Sequence, residues 1–136
     1  MQFVINNWHL FVALAVVIAL LLAGPVSRYL HGVKIVNASQ AILLLNREGG
    51  VVVDVCEPAE FSAGHIPNAV NVPLSGLKRS LDKLEKYKNK PVVVSCRSGN
   101  RSVKGAVLLR KHGFAAVYSL AGGVTAWQRD NLPLEK

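Results

Sequence analysis

The sequence predicts an α/β domain, a mainly parallel central sheet flanked by helices, preceded by one N-terminal transmembrane helix. Three observations lead there. Two almost continuous runs rich in β-branched residues, VVVDV at 51–55 and VVVS at 92–95, read as strands buried on both faces. Segments with helical apolar spacing alternate with such runs over about 100 residues, the pattern of a parallel sheet. No Asp, Glu, Lys or Arg precedes Arg28, so the charge is confined to the rest of the chain.

The uncharged leader is read first. Residues 8–26, WHLFVALAVVIALLLAGPV, amount to about one bilayer's worth of helix. Trp8 stands where an interfacial aromatic would stand, and Gly24-Pro25 ends or kinks the run. A cleaved signal peptide would carry a basic n-region and an A-x-A site; MQFVINN has no Lys or Arg, and 21–23 read LLA. A buried core helix would show a polar stripe, which is lacking. The chain therefore divides into a short segment (1–7), a transmembrane anchor (8–26), a linker (27–34) and a folded domain (35–136). Arg28 and Lys34 follow the helix, so the positive-inside bias puts the domain on the cytoplasmic side of the inner membrane, single-pass. A reducing compartment suits a free thiol.

Within the domain, residues 35–36 are expected as a short strand. Ser39 is a plausible N-cap for a helix over 40–47, closed by Gly49-Gly50. After the strand at 51–55 comes a short helix at 57–63, a strand at 70–72 stopped by Pro73, and a helix at 77–87 with lysines outward. The strand at 92–95 leads to a helix at 102–112 with Gly113 as its C′ residue. A strand at 115–118 and a helix at 124–129 complete the series.

A net charge of +8 attracts anions in general. Neither aromatic-rich RNA-binding signatures nor zinc-finger spacings accompany it, so nucleic acid is not an expected partner. Lys78, Arg79, Lys83, Lys86, Lys88 and Lys90 read as a solvated face. The two cysteines, Cys56 and Cys96, are too few for a disulfide framework and have no metal-ligand spacing, so no metal is expected.

The chemistry is concentrated in VVVSCRSGNRS, residues 92–102, which runs strand, polar loop, helix. Cys96 lies at the carboxyl end of a strand, where α/β sheets build sites, and at the entrance to the next helix. The cations Arg97 and Arg101 and the helix N-terminus favour its thiolate form. Gly99 lets the loop curl so that backbone N–H groups of Arg97, Ser98, Gly99, Asn100 and Arg101 converge on one anion. The loop is Cys-x4-Arg, one residue shorter than the Cys-x5-Arg common in cysteine phosphatases. The smaller cradle favours a terminal sulfur over a tetrahedral phosphoryl group.

Three motifs in order carry a resemblance: DVCEPAEFSAGHIPNAVNVP at 54–73, CRSGNRS at 96–102 and LAGGVTAW at 120–127. Together they resemble the rhodanese-like domain family, and the layout is similar to small membrane-anchored bacterial rhodaneses. The resemblance implies a cofactor-free sulfurtransferase. Cys96 would take a sulfane sulfur from a small anionic donor such as thiosulfate, hold it as a persulfide on the amides of 97–101, and pass it to cyanide, a thiol or a protein. Arg97 and Arg101 would steer the anion, and Asp54 would order the neighbouring loops. The resemblance also makes His65 structural rather than a base for Cys96.

The family's usual DVR is DVC here. Cys56 then reads either as an inert small residue or as a resolving thiol for Cys96. Two other functions compete: a membrane-tethered sulfur carrier or binding module with little turnover, and a cysteine phosphatase or arsenate reductase.

Overall fold

The computed structural model describes the backbone of residues 1–30 and 32–136 and the side chains of 1–22 and 32–136. Helices α1 (Gln2–Asn6) and α2 (Trp8–Leu30) form the leader. The domain follows as β1 (Lys34–Val36), α3 (Ala38–Arg47), β2 (Val51–Asp54), α4 (Pro58–Ala63), β3 (Val70–Asn71), α5 (Leu81–Leu84), β4 (Pro91–Ser95), α6 (Asn100–Lys111), β5 (Ala116–Leu120) and α7 (Gly123–Arg129). The five strands make one sheet in the order β1-β5-β4-β2-β3, all pairings parallel.

Among the described residues no helix is long and apolar enough to cross a membrane. The expectation of a transmembrane helix over 8–26 is therefore corrected. The backbone of α2 is helical from Trp8 to Leu30, but the side chains described within it, those of 8–22, do not make a spanning apolar stretch. The side chains of 23–26 lie outside the described residues. What α2 does present is an exposed apolar surface, with Leu20 at 72% and Leu21 at 71% exposure.

Strand β4 is central, and its side chains alternate between two cores. Val92 and Val94 join Val53, Val55, Leu77, Leu84, Leu109 and Phe114 on the α5–α6 side. Val93 joins Val36, Ala41, Val52, Ile66, Leu120 and Trp127 on the α3–α7 side. Each of these three valines is completely buried, worth about 1.5–3 kcal/mol apiece. Burial on both faces explains why VVVS lacks the polar alternation of a half-exposed strand.

Two local expectations are refined. The cap of α3 is Asn37, not Ser39: the Asn37 side chain accepts from Gln40 N at 2.8 Å, and Gln40 Oε1 accepts from Asn37 N at 2.9 Å. Asn37 has a glutamine three residues on to return the bond; Ser39 has Ile42 there. The helix expected over 77–87 is short turns of 3-10 helix at Lys78–Ser80 and Glu85–Tyr87 around the single turn of α5. Leu81, Leu84 and Tyr87 recur at intervals of three, which stack in a 3-10 turn and drift apart in an α-helix. Gly113 ends α6 as expected: at φ 89°, it donates to Arg110 O while Phe114 N donates to Leu109 O, a Schellman closure.

Candidate active site

The loop between β4 and α6 joins two helix N-termini, and each leaves backbone N–H groups without an intrahelical partner. At α6, Cys96 meets that need. Its Sγ accepts from Gly99 N at 3.0 Å and from Ser102 N at 3.3 Å. Ser102 is the third residue of α6, so the sulfur sits where the oxygen of an N-cap side chain would sit. Gly99, the N-cap itself, has φ 103°, a conformation that glycine adopts freely. Behind the sulfur, Ser102 Oγ lies 2.9 Å from Gly99 O and 2.8 Å from Ser119 Oγ. Cys96 is completely buried.

At α7 the loop's carbonyls serve. Val124 N donates to Cys96 O at 2.8 Å and Thr125 N to Arg97 O at 3.1 Å. This approach requires a glycine at 123: a Cβ there would fall on Cys96 O and lie 2.9 Å from Arg97 C and O. The sequence shows Gly122-Gly123 as a turn into the last helix; the structure adds that this turn closes the loop.

Arg101 differs from its expected role. Its Nη1 and Nη2 bond Glu60 Oε1 and Oε2 of α4 at 2.7 and 2.9 Å. The guanidinium holds the Glu60 carboxyl down to about 2, helped by the Glu57 N–H, and Glu60 raises Arg101 in turn. The pair is ionised at any physiological pH. Arg97 is exposed at the rim. Glu60 and Ser102 are the site residues that the motif reading missed. Ser102 lies just past the Cys-x4-Arg spacing, and Glu60 is 41 residues from its partner.

Residues 37–130 match the family model described as rhodanese-like domain. The chain belongs to the rhodanese-like domain family. It is 36% identical to the "Uncharacterized protein YibN" of Escherichia coli over 135 residues, 98% of this chain and 94% of that one. It is 33% identical to the "Thiosulfate sulfurtransferase GlpE" of Pseudoalteromonas translucida, over 70% of this chain and 89% of that one. Among solved structures, a rhodanese-related protein from Thermoplasma volcanium superposes with a TM-score of 0.65 at 32% identity, covering 75% of this chain and 97% of that one.

In this rhodanese-like domain Asp54 works on the backbone. Its Oδ1 accepts from Cys56 N at 2.8 Å, and its carbonyl accepts from Asn71 Nδ2 and Val72 N. Asn71 Nδ2 also donates to Cys56 O at 2.9 Å, so the turn after β2 is fastened beside the loop. Burial, then the Asp54 carboxylate, pushes the Cys56 thiol up to about 12. A thiol held protonated is a poor nucleophile, which argues for the inert reading of Cys56. Cys56→Ser is expected to leave the rate of sulfur loading on Cys96 within about twofold of wild type; a large loss, or a changed redox midpoint, would restore the resolving role.

His65 ties the chain end. Its Nδ1 lies 2.8 Å from Phe61 O, its ring stacks on Phe61 at 3.6 Å, and its backbone forms an antiparallel bridge with Glu135. Trp127 is core, its Nε1 donating to Pro133 O at 2.8 Å. Among the described residues no cluster of His, Cys, Asp or Glu is arranged to hold a metal. A cleft of about 530 Å³ beside Leu45, Val51, Lys90 and Trp127 includes no residue of the 96–102 loop.

Ser95 Oγ is buried without a hydrogen-bond partner among the described residues. Removing a buried, unpaired hydroxyl costs little or is favourable. Ser95→Ala is therefore expected to shift stability by less than about 1 kcal/mol, and upward if at all, as read from the urea midpoint. A clear drop would mean the hydroxyl has a partner after all.

Proposed function

We propose that the protein is a sulfurtransferase that carries a sulfane sulfur as a persulfide on Cys96. The observation carrying this reading is the Cys96 sulfur at the floor of a short Cys-x4-Arg loop, accepting two main-chain N–H groups. Such donors stabilise negative charge on sulfur. The family and the name of the relative at 33% identity support the same chemistry.

The first half-reaction is displacement. The Cys96 thiolate attacks the outer sulfur of a donor, a new S–S bond forms, and the donor's S–S bond breaks. With thiosulfate, sulfite leaves with the electron pair. In the second half, a thiol, cyanide or protein nucleophile takes the outer sulfur and the Cys96 thiolate returns. The exchange is redox-neutral, so it calls for no cofactor. Arg97 draws the donor to the rim, the amides around Gly99 and Ser102 hold the sulfur, and Asp54 keeps the adjoining turn in place.

Intact-mass measurement after thiosulfate treatment tests the reading. One added sulfur on Cys96, with thiocyanate formed on adding cyanide, supports an enzyme. A stable persulfide with slow discharge favours the carrier. Cys96-dependent hydrolysis of an aryl phosphate would favour a phosphatase, against which the loop length argues.

The same proposal places the chain at the inner membrane with its domain toward the cytoplasm. The uncharged leader with its exposed leucines, and the cations Arg28 and Lys34 after it, which the anionic lipid of the cytoplasmic leaflet attracts, support that location. Membrane fractionation with protease protection of the domain tests it.

A further inference from the structure

Resting on the sulfurtransferase reading, the geometry points to Glu60 as a specificity-determining residue. We propose that it sets the site against small dianionic donors such as thiosulfate and toward donors of low charge, alkyl or protein persulfides. It does so by fixing a carboxylate on Arg101 at the mouth of the loop.

Read alone, CRSGNR offers two guanidinium groups to an incoming anion. The folded chain offers fewer. Both Nη atoms of Arg101 are bonded to Glu60 at 2.7 and 2.9 Å, and Glu60 Oε1 also accepts from Glu57 N at 3.1 Å. A bidentate pair of this kind fixes both side chains and cancels their charge at a distance. Glu57 adds a second acidic side chain at the start of α4, held on its other side by Ser75 Oγ at 3.1 Å. Arg97, exposed and bonded to no carboxylate among the described residues, is left as the loop's available cation.

The two donor classes differ in the charge they bring. Attack on thiosulfate assembles three negative charges, one on Cys96 and two on the donor; the Cys96–S bond forms as the bond to sulfite breaks, and sulfite departs as a dianion. Attack on a persulfide R–S–SH assembles one. The Cys96–S bond forms, R–S⁻ leaves with the electron pair, and the proton stays on the transferred sulfur. A mouth with its second cation neutralised penalises the first route more than the second.

Glu60→Gln tests this in the full-length chain. Glutamine keeps an oxygen for Arg101 and removes the charge. Loading of sulfur onto Cys96 is followed by rapid quench and intact mass, with thiosulfate and with cysteine persulfide as donors. At low ionic strength the variant is expected to load from thiosulfate about three- to tenfold faster at sub-saturating donor, with cysteine persulfide changed less than about twofold. The thiosulfate gain shrinks as salt is added. If loading from both donors falls together, Glu60 is only a brace and the inference is overturned; no change with either donor overturns it too.

Wild-type protein supplies an independent check that does not depend on the variant folding. A near-neutral mouth gives thiosulfate loading only a weak salt dependence, and a steep fall with salt contradicts the proposal. Wild-type protein that loads from neither donor refutes the sulfurtransferase reading itself, and this inference with it.

Discussion

Cys96→Ser abolishes sulfur transfer, a loss of about a thousandfold or more in thiocyanate formation, while the domain stays folded. A serine hydroxyl is not ionised at neutral pH and forms no persulfide. Its oxygen still occupies the position that receives the Gly99 and Ser102 N–H groups, so the N-terminus of α6 keeps its acceptor. The melting temperature is expected to move by only a few degrees. Retained turnover in this variant, measured beside its melting curve, would remove the covalent intermediate from the mechanism.

The largest structural effect is expected at Gly123. Alanine there meets two penalties: φ is 55°, and the added carbon lands on the Cys96 carbonyl. The loop would have to lift off α7, breaking the bonds from Val124 N and Thr125 N. Gly123→Ala should cost about 3 kcal/mol or more and depress sulfur loading with it. Gly49→Ala isolates the first penalty, because Gly49 has φ 67° and nothing within 4 Å of an added Cβ; it should cost about 1–2 kcal/mol. Equal urea midpoints for the two variants would show that close packing at Gly123 does not hold the loop.

The strands were legible because burial on both faces leaves its mark on consecutive residues. VVVD and PVVVS became β2 and β4 within a residue of the expected limits, and Cys96 follows the end of β4 as expected. Strand order was not legible. It depends on which apolar faces meet, and β1 pairs with β5 from the far end of the chain. The helix expected over 77–87 failed because a three-residue interval and a helical interval differ by less than a residue per turn. At the start of α3 both Asn37 and Ser39 are capping residue types, and the reciprocal bonds with Gln40 select Asn37.

At the site, Cys96, Gly99 and Asp54 could be placed from local pattern. Glu60 could not, because its bond to Arg101 depends on how α4 packs beside the loop. The closing role of Gly123 likewise arises from a contact across the sheet end. The leader shows another limit: its lack of charge is plain in the sequence, but hydrophobicity alone did not yield a spanning helix among the described residues.

The loop's two-sided anchorage bears on how the proposed cycle runs. Its amides face the sulfur while the carbonyls of Cys96 and Arg97 are committed to α7. The first two peptide planes of the loop are thereby held against α7, and the donors at Gly99 and Ser102 already face the sulfur. Such a socket needs little reorganisation between states, because its dipoles already point where the charge will be. A turnover of the proposed cycle then calls for little rearrangement of the start of the loop, which α7 holds from behind.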